Sequence, residues 1–130
     1  LTRDTDGYFM APGVFLNTTN DMRINREEMF ALLAGVIKVD SYGEALQVVN
    51  DTHFGLTSGI VTRSLSRATH FRRNARTGCV MVNLPTAGTD YHVPFGGRGS
   101  SPYGTREQGT YAAEFYTTVK TAYIASGTPE

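Results

Sequence analysis

The sequence predicts an α/β chain, a layered and mostly parallel sheet with flanking helices, closed by one further helix and strand. Three features of the chain predict it. Segments of strand character (12–19, 31–39, 57–62 and 79–82) alternate with segments of helical spacing. The pairs Ser41/Glu44 and Thr105/Gln108 have the capping-box form that opens helices. A Pro- and Gly-rich connection over 83–109 separates the last buried strand from the final helix, and holds three of the five prolines and six of the fourteen glycines.

Taken in order, residues 1–11 are polar and turn-rich, with Asp4, Asp6 and Gly7, and belong at the surface. Pro12 to Thr19 reads as a strand after a Pro-Gly breaker. A short polar link over 21–25 follows, anchored by Met22 and Ile24. The run from Ala31 to Val39 is nearly continuous in apolar residues, the pattern of a strand covered on both faces. Ser41 caps a helix reaching about Asn50, with Ala45, Leu46 and Val49 inward.

Thr57 to Thr62 is the next strand. A second helix is expected from Leu65 to Arg76, with Leu65, Ala68 and Phe71 on one side and Gly78 as its C-terminal residue. Cys79 to Val82 is then a buried strand. Long connections in compact domains are either functional or disordered. Tyr91, Val93, Phe95 and Tyr103 are too apolar for a solvated linker, so the 83–109 loop is expected to pack. Thr105 opens a helix with Tyr111, Ala112 and Phe115 on one face, and Thr117 to Ile124 is a terminal strand that needs an edge to pair with.

Composition narrows the function classes. A chain of 130 residues is long enough to bury a core of its own. Twelve basic residues balance twelve acidic ones, so no global field favours nucleic acid or an anionic membrane. One cysteine cannot form an internal disulfide, which fits a reducing, cytoplasmic setting. No apolar run is long enough to span a bilayer as a helix.

Several residues bear on chemistry. Glu28, judged by spacing alone, reads as a solvated acid. Cys79 opens an apolar run after Gly78, the setting of a small buried hydrophobe rather than of an accessible thiolate. His53 (at a helix end), His70 and His92 are isolated from the carboxylate or cysteine spacing of a metal site, so no metal ligand is expected. Arg63, Arg67, Arg72, Arg73 and Arg76 give the second helix a basic cluster, which reads as a solvated face before an RNA- or phosphate-binding one. Gly96-Gly97 lets another backbone or a ligand approach closely.

The run NLPTAGTDYHVPFGG (83–97), with SS, YG, REQG and EFYTTVKTAYI after it, resembles the C-terminal end of NAD(P)-dependent aldehyde dehydrogenases, most of all the α-ketoglutaric semialdehyde (2,5-dioxovalerate) branch. The resemblance covers essentially the whole chain, through Gly7-Tyr8, REEMF and FGLTSGIVT. It implies the last part of a longer enzyme that oxidises an aldehyde, a semialdehyde above all, to the carboxylate through a cysteine thioester. Residues 1–104 would be the C-terminal half of the catalytic α/β domain. Residues 105–130 would be an oligomerisation arm whose strand adds to a neighbouring subunit's sheet.

By the same resemblance, the complete enzyme uses NAD or NADP. Glu28 is the acid that accepts from both hydroxyls of the nicotinamide ribose, and Phe30 packs beside the nicotinamide end. Thr86, Thr89, Tyr91 and His92 belong to the aldehyde wall. The nucleophile, the general base, the oxyanion-hole asparagine and the dinucleotide-binding domain lie outside these residues. No catalytic residue is therefore assigned, and the chain alone is expected neither to turn over nor to bind coenzyme tightly. The expected partners are an aldehyde and further copies of the chain, without nucleic acid or membrane. The alternative is a self-associating binding module derived from the same family. Two departures are visible: relatives read FGP where this chain has Phe30-Ala31-Leu32, and GGRKGSSYG where it has Gly96 to Gly104 with Pro102 inserted and no lysine. They leave the local turn after Phe30 and the path of the 98–103 loop open.

Overall fold

The structure is a computed structural model that describes residue 4, residues 6–101 and residues 104–127. The element order is β1 (Gly13–Phe15), α1 (Arg23–Arg26), β2 (Leu33–Gly35), α2 (Tyr42–Asn50), β3 (Thr57–Ile60), α3 (Leu65–Asn74), β4 (Cys79–Val82), a 3-10 turn (Gly109–Tyr111) and α4 (Ala112–Tyr116). The expected α/β class with parallel pairing is observed. Two compact units share the chain, one comprising 1–53 and 62–76, the other 54–61 and 77–130.

In the first unit β1 pairs with β2 in parallel, Gly13 opposite Leu33 and Phe15 opposite Gly35. The predicted strand from Pro12 to Thr19 is shortened because Asn17 adopts φ 56, a left-handed conformation that ends the extended run. Pairing resumes once, where the Thr18 N–H donates to the Val36 carbonyl at 3.0 Å. The apolar run 31–39 departs from expectation in a second way. Its strand is three residues long and all three are exposed, so the run is not covered on both faces. At its head Phe30 sits at φ 49, which turns the chain before pairing begins.

The expected polar link over 21–25 contains a one-turn helix instead. Arg23 pairs with Glu27 at 2.7 Å across one turn. Arg26 reaches the Asp51 carbonyl at 2.6 Å and the Asp51 carboxylate at 2.7 Å, and Asn20 donates to the same carboxylate at 2.7 Å. The Arg26 hydrogen bond and charge hold the Asp51 carboxyl below the usual carboxylate range.

Helix α2 begins as predicted, with the Glu44 N–H donating to Ser41 Oγ at 3.1 Å. The Glu44 carboxylate accepts from the Asp40 N–H at 2.8 Å, one residue before the cap itself. Ala45, Leu46 and Val49 are only half-buried. Helix α3 is capped by Ser64, whose Oγ accepts from the Arg67 N–H at 3.2 Å. The two helices join through Tyr42 Oη and His70 Nδ1 at 2.8 Å, and through Asn50, which donates to the Asn74 carbonyl at 3.0 Å and accepts from the Arg76 N–H at 2.7 Å.

Helix α3 ends at Asn74, and Ala75 is extended at φ −68, ψ 128, so Gly78 is not its C-terminal residue. Nor does Leu65 face inward, being 82% exposed. Phe71 at 4% and Ala75 at 6% are the buried apolar side chains among the described residues. The expectation that the chain buries a core of its own is therefore corrected: the elements form, but most of their large apolar side chains stay exposed.

In the second unit β3 and β4 pair in parallel, Thr57 opposite Cys79 and Ile60 opposite Val82. The Ser58 and Thr77 hydroxyls, both buried, share a hydrogen bond of 2.7 Å beneath this pair. Cys79, expected to be buried, is half-buried, and its thiol lies 3.7 Å from the Gly96 carbonyl.

The 83–109 loop is tied down by its backbone. Phe95 and Glu107 exchange both backbone hydrogen bonds at 2.7 and 2.8 Å, Arg98 donates to the Gly55 carbonyl at 2.9 Å, and Arg106 donates to the Gly97 carbonyl at 2.8 Å. Phe95 is half-buried, whereas Tyr91 and Val93 remain exposed; Tyr103, with Pro102, lies outside the described residues. Gly78 is glycine for want of space: a Cβ there would stand 1.8 Å from the Gly96 carbonyl oxygen.

The second capping box is not formed. Gln108 caps the 3-10 turn at φ 67, ψ 167 without a side-chain hydrogen bond, because Arg106 and Glu107 are committed to the loop. Of the predicted face on the last helix, Ala112 and Phe115 are half-buried and Tyr111 is exposed. Residues 117–127 form no strand in this chain, and Val119 (97%) and Ile124 (94%) stand in solvent.

Candidate functional site

The two groups of predicted site residues fall in different units. In the first unit, α1 ends at Arg26 and delivers Glu28 and Phe30 to the start of β2. Both line one open cavity of about 540 Å³, with Ile24, Met29, Leu32 and Leu33 among its walls. The lining is mostly apolar, with the Glu28 side chain exposed at it and the Phe30 ring 93% exposed. A carboxyl group in the open, beside a bare aromatic face, is able to take two hydroxyl donors and leave the ring free for a flat apolar partner.

The approach to Glu28 is held from behind. Asn25 donates to the Thr19 carbonyl at 2.8 Å, and its Oδ1 lies 2.3 Å from where a Cβ on Gly35 would stand. Gly35 thus admits the Asn25 side chain against β2, and with the Arg26–Asp51 pair this fixes the turn that presents Glu28.

In the second unit, Thr86 and Thr89 line a cavity of about 300 Å³ with Leu56, Thr57, Phe95 and Gln108. Tyr91 and His92, the other two residues predicted for the aldehyde wall, are not among its lining. Both are exposed, and their rings meet edge-on at 5.5 Å. Four of the six predicted site residues are therefore brought to cavities, as two pairs. Sequence reasoning missed Gln108, Thr57 and Phe95 at the second cavity. Gln108 stood in a capping-box pattern that hid it; Phe95 was marked only as apolar.

His70 is engaged with Tyr42, the Arg67 guanidinium lies over the Tyr42 ring at 5.8 Å, and Arg63, Arg67, Arg72, Arg73 and Arg76 are all exposed. Among the described residues no group of three or more His, Cys, Asp or Glu is placed to hold a metal, and no helix is long and apolar enough to cross a membrane.

Comparison with known proteins places this arrangement. The α-ketoglutaric semialdehyde dehydrogenase of Bacillus subtilis is 40% identical over 119 residues, covering 92% of this chain and 24% of that enzyme. The α-ketoglutarate semialdehyde dehydrogenase of Haloferax volcanii is 43% identical over 118 residues, covering 90% and 24%. Among solved structures, a P. syringae indole-3-acetaldehyde dehydrogenase complexed with NAD+ superposes with a TM-score of 0.76 at 37% identity, over 85% of this chain and 22% of its own. An aldehyde dehydrogenase of Mycobacterium tuberculosis complexed with NAD+ gives 0.79 at 29% identity, over 92% and 25%. This chain thus spans about a quarter of the length of the relatives it matches. The aldehyde dehydrogenase family profile matches residues 2–122, and the chain belongs to that family.

Proposed function

We propose that these residues supply the coenzyme-ribose grip and part of the aldehyde wall of an NAD(P)-dependent aldehyde dehydrogenase, and that they are not catalytic by themselves. The observation that carries this reading is the meeting of Glu28 and Phe30 at one open cavity in a chain of this family. The residues fit a nicotinamide coenzyme: Glu28 would hold the ribose diol through two charge-assisted hydrogen bonds, and Phe30 would shield the nicotinamide end from water. The coenzyme, when bound, supplies the hydride acceptor. Thr86 and Thr89 offer hydroxyls to the substrate, and Tyr91 and His92 extend the wall beyond the cavity.

The substrate class follows from relatives acting on α-ketoglutaric semialdehyde, which favours a semialdehyde oxidised to the carboxylate through a cysteine thioester. That chemistry belongs to the complete enzyme, and a reducing, cytoplasmic setting fits a half-buried free Cys79. The test replaces the last quarter of the Bacillus subtilis relative with this chain and follows NAD(P)H formation on a semialdehyde. Turnover is expected from the graft and none from the 130 residues alone. A folded but inert graft, or turnover by the isolated chain, overturns the reading.

A second reading, self-association as a module, is favoured by the bare apolar surface of β1 and β2 and of residues 117–127. We propose that copies associate by exchange of the 105–125 arm, whose residues after Tyr116 form no strand in this chain.

A further inference from the structure

We propose that Gly59 is a positioning residue of the aldehyde wall, setting through Thr86 how wide a substrate the cavity of about 300 Å³ admits. The inference rests on the reading of that cavity as part of the wall. Gly59 is the third residue of β3, opposite Met81 in β4, and is not among the cavity's lining. Successive side chains of a strand point to opposite faces, so Thr57 and Gly59 share one face and Ser58 takes the other. Their surroundings agree: Thr57 lines the cavity, whereas Ser58 is buried and bonded to Thr77.

Glycine inside a strand weakens it and often marks close approach by another group. The group here is the Thr86 γ-methyl. A Cβ on Gly59 would stand 3.0 Å from it, inside the roughly 3.5–4.0 Å at which carbons pack best. The next neighbours, the Met81 carbonyl oxygen and Met81 Cβ, would lie at ordinary distances of 3.6 and 3.9 Å. Nor does the backbone demand glycine, for Gly59 lies outside the left-handed region. What the bare position provides is a seat for Thr86.

That seat fixes the gap between strand and loop. The cavity is bounded on one side by Leu56 and Thr57, where β3 begins, and on the other by residues 86–89 of the loop. Two residues along from Thr57, Thr86 rests on Gly59 and the two sides meet. A methyl group at Gly59 has to displace one of them. Strand β3 is held by its pairing with β4 and, on its far face, by the 2.7 Å hydrogen bond between Ser58 and Thr77. Thr86 is exposed and its β-branched side chain is stiff at χ1, so the loop gives rather than the strand or the rotamer. The loop would rise by a few tenths of an ångström, and the cavity would widen.

The test has two arms. In the chain by itself, NMR with methyl-labelled threonine is expected to show a cross-peak between the Gly59 α-protons and the Thr86 γ-methyl. Gly59→Ala is expected to move that methyl resonance and to leave the Thr77 methyl, on the far face, in place. In the graft on the Bacillus subtilis relative, kcat/KM is compared for 5-oxopentanoate and 3-methyl-5-oxopentanoate, which share a carboxylate and differ in width. Gly59→Ala is expected to raise the branched-to-linear ratio several-fold, toward the roughly tenfold that one methylene is worth in such a pocket. Adding Thr86→Ser moves the methyl from one side of the contact to the other, so the double variant is expected to return to the unaltered ratio. A missing cross-peak, a Thr77 methyl that moves as far as that of Thr86, an active graft whose ratio holds or falls, or a double variant that keeps the altered ratio overturns the proposal alone. An inert graft overturns the wall reading and takes the proposal with it.

Discussion

Gly78 shows how much one absent atom matters in this chain. A methyl group there would overlap the Gly96 carbonyl and crowd Arg106 Nη1 at 2.7 Å, and the carbonyl is backbone that cannot swing aside. Gly78→Ala is expected to destabilise the second unit by about 1–3 kcal/mol or more, read as a lower urea midpoint. A charged pair gives a residue-scale expectation for the first unit. Arg26 lowers the Asp51 pKa from 3.8 on folding, so the unfolded chain binds the proton more readily. The stabilisation is fully present above that ordinary value and is lost as pH falls through the lower folded one. Arg26→Ala is expected to return the Asp51 carboxyl toward its usual titration, followed by its side-chain carbon resonance in NMR. Residue identities of this kind were partly legible. Glu28 and the PFGG glycines carry motif information, but the close approach that demands Gly78 joins residues eighteen apart and leaves no local trace.

At the scale of elements, the two true caps carry the most information. Ser41 and Ser64 each accept from the backbone N–H three residues on, and Ser→Ala at either is expected to cost about 1 kcal/mol in thermal or denaturant unfolding. Leu65→Ala is the contrast, within about 0.5 kcal/mol, since that side chain stands in solvent. The helices and the β3–β4 pair were legible because capping and periodicity are local. Strand lengths were not: Asn17 interrupts the first apolar run and Phe30 turns the chain just before the second, both through left-handed backbone that composition does not announce. The Thr105 to Gln108 pattern misled for a related reason. The same four residues could cap a helix or bridge to Phe95, and the non-local bridge prevailed.

The whole molecule is best understood by what its apolar faces lack. Val14 in β1, Leu16 just after it, Leu32 beside β2, and Val119 and Ile124 beyond α4 are all exposed, although Leu32 belongs to a run with the composition of a buried strand. The sequence carried the family signal along its whole length, while self-sufficiency was not readable from it, because a strand written for burial looks the same whether or not its cover is present. Light scattering is expected to find a homo-oligomer that grows with concentration, and a chain ended after Tyr116 is expected to associate less. A monomer at all concentrations would count against assembly through the last residues.

The interleaving of the two units has a genetic corollary. Because 54–61 belongs with 77–130 while 62–76 belongs with 1–53, any single break in the chain leaves at least one unit in separate pieces. Recombination could not hand on both units intact by one crossover within them. A library of one-point chimeras should therefore recover few functional joins within these residues.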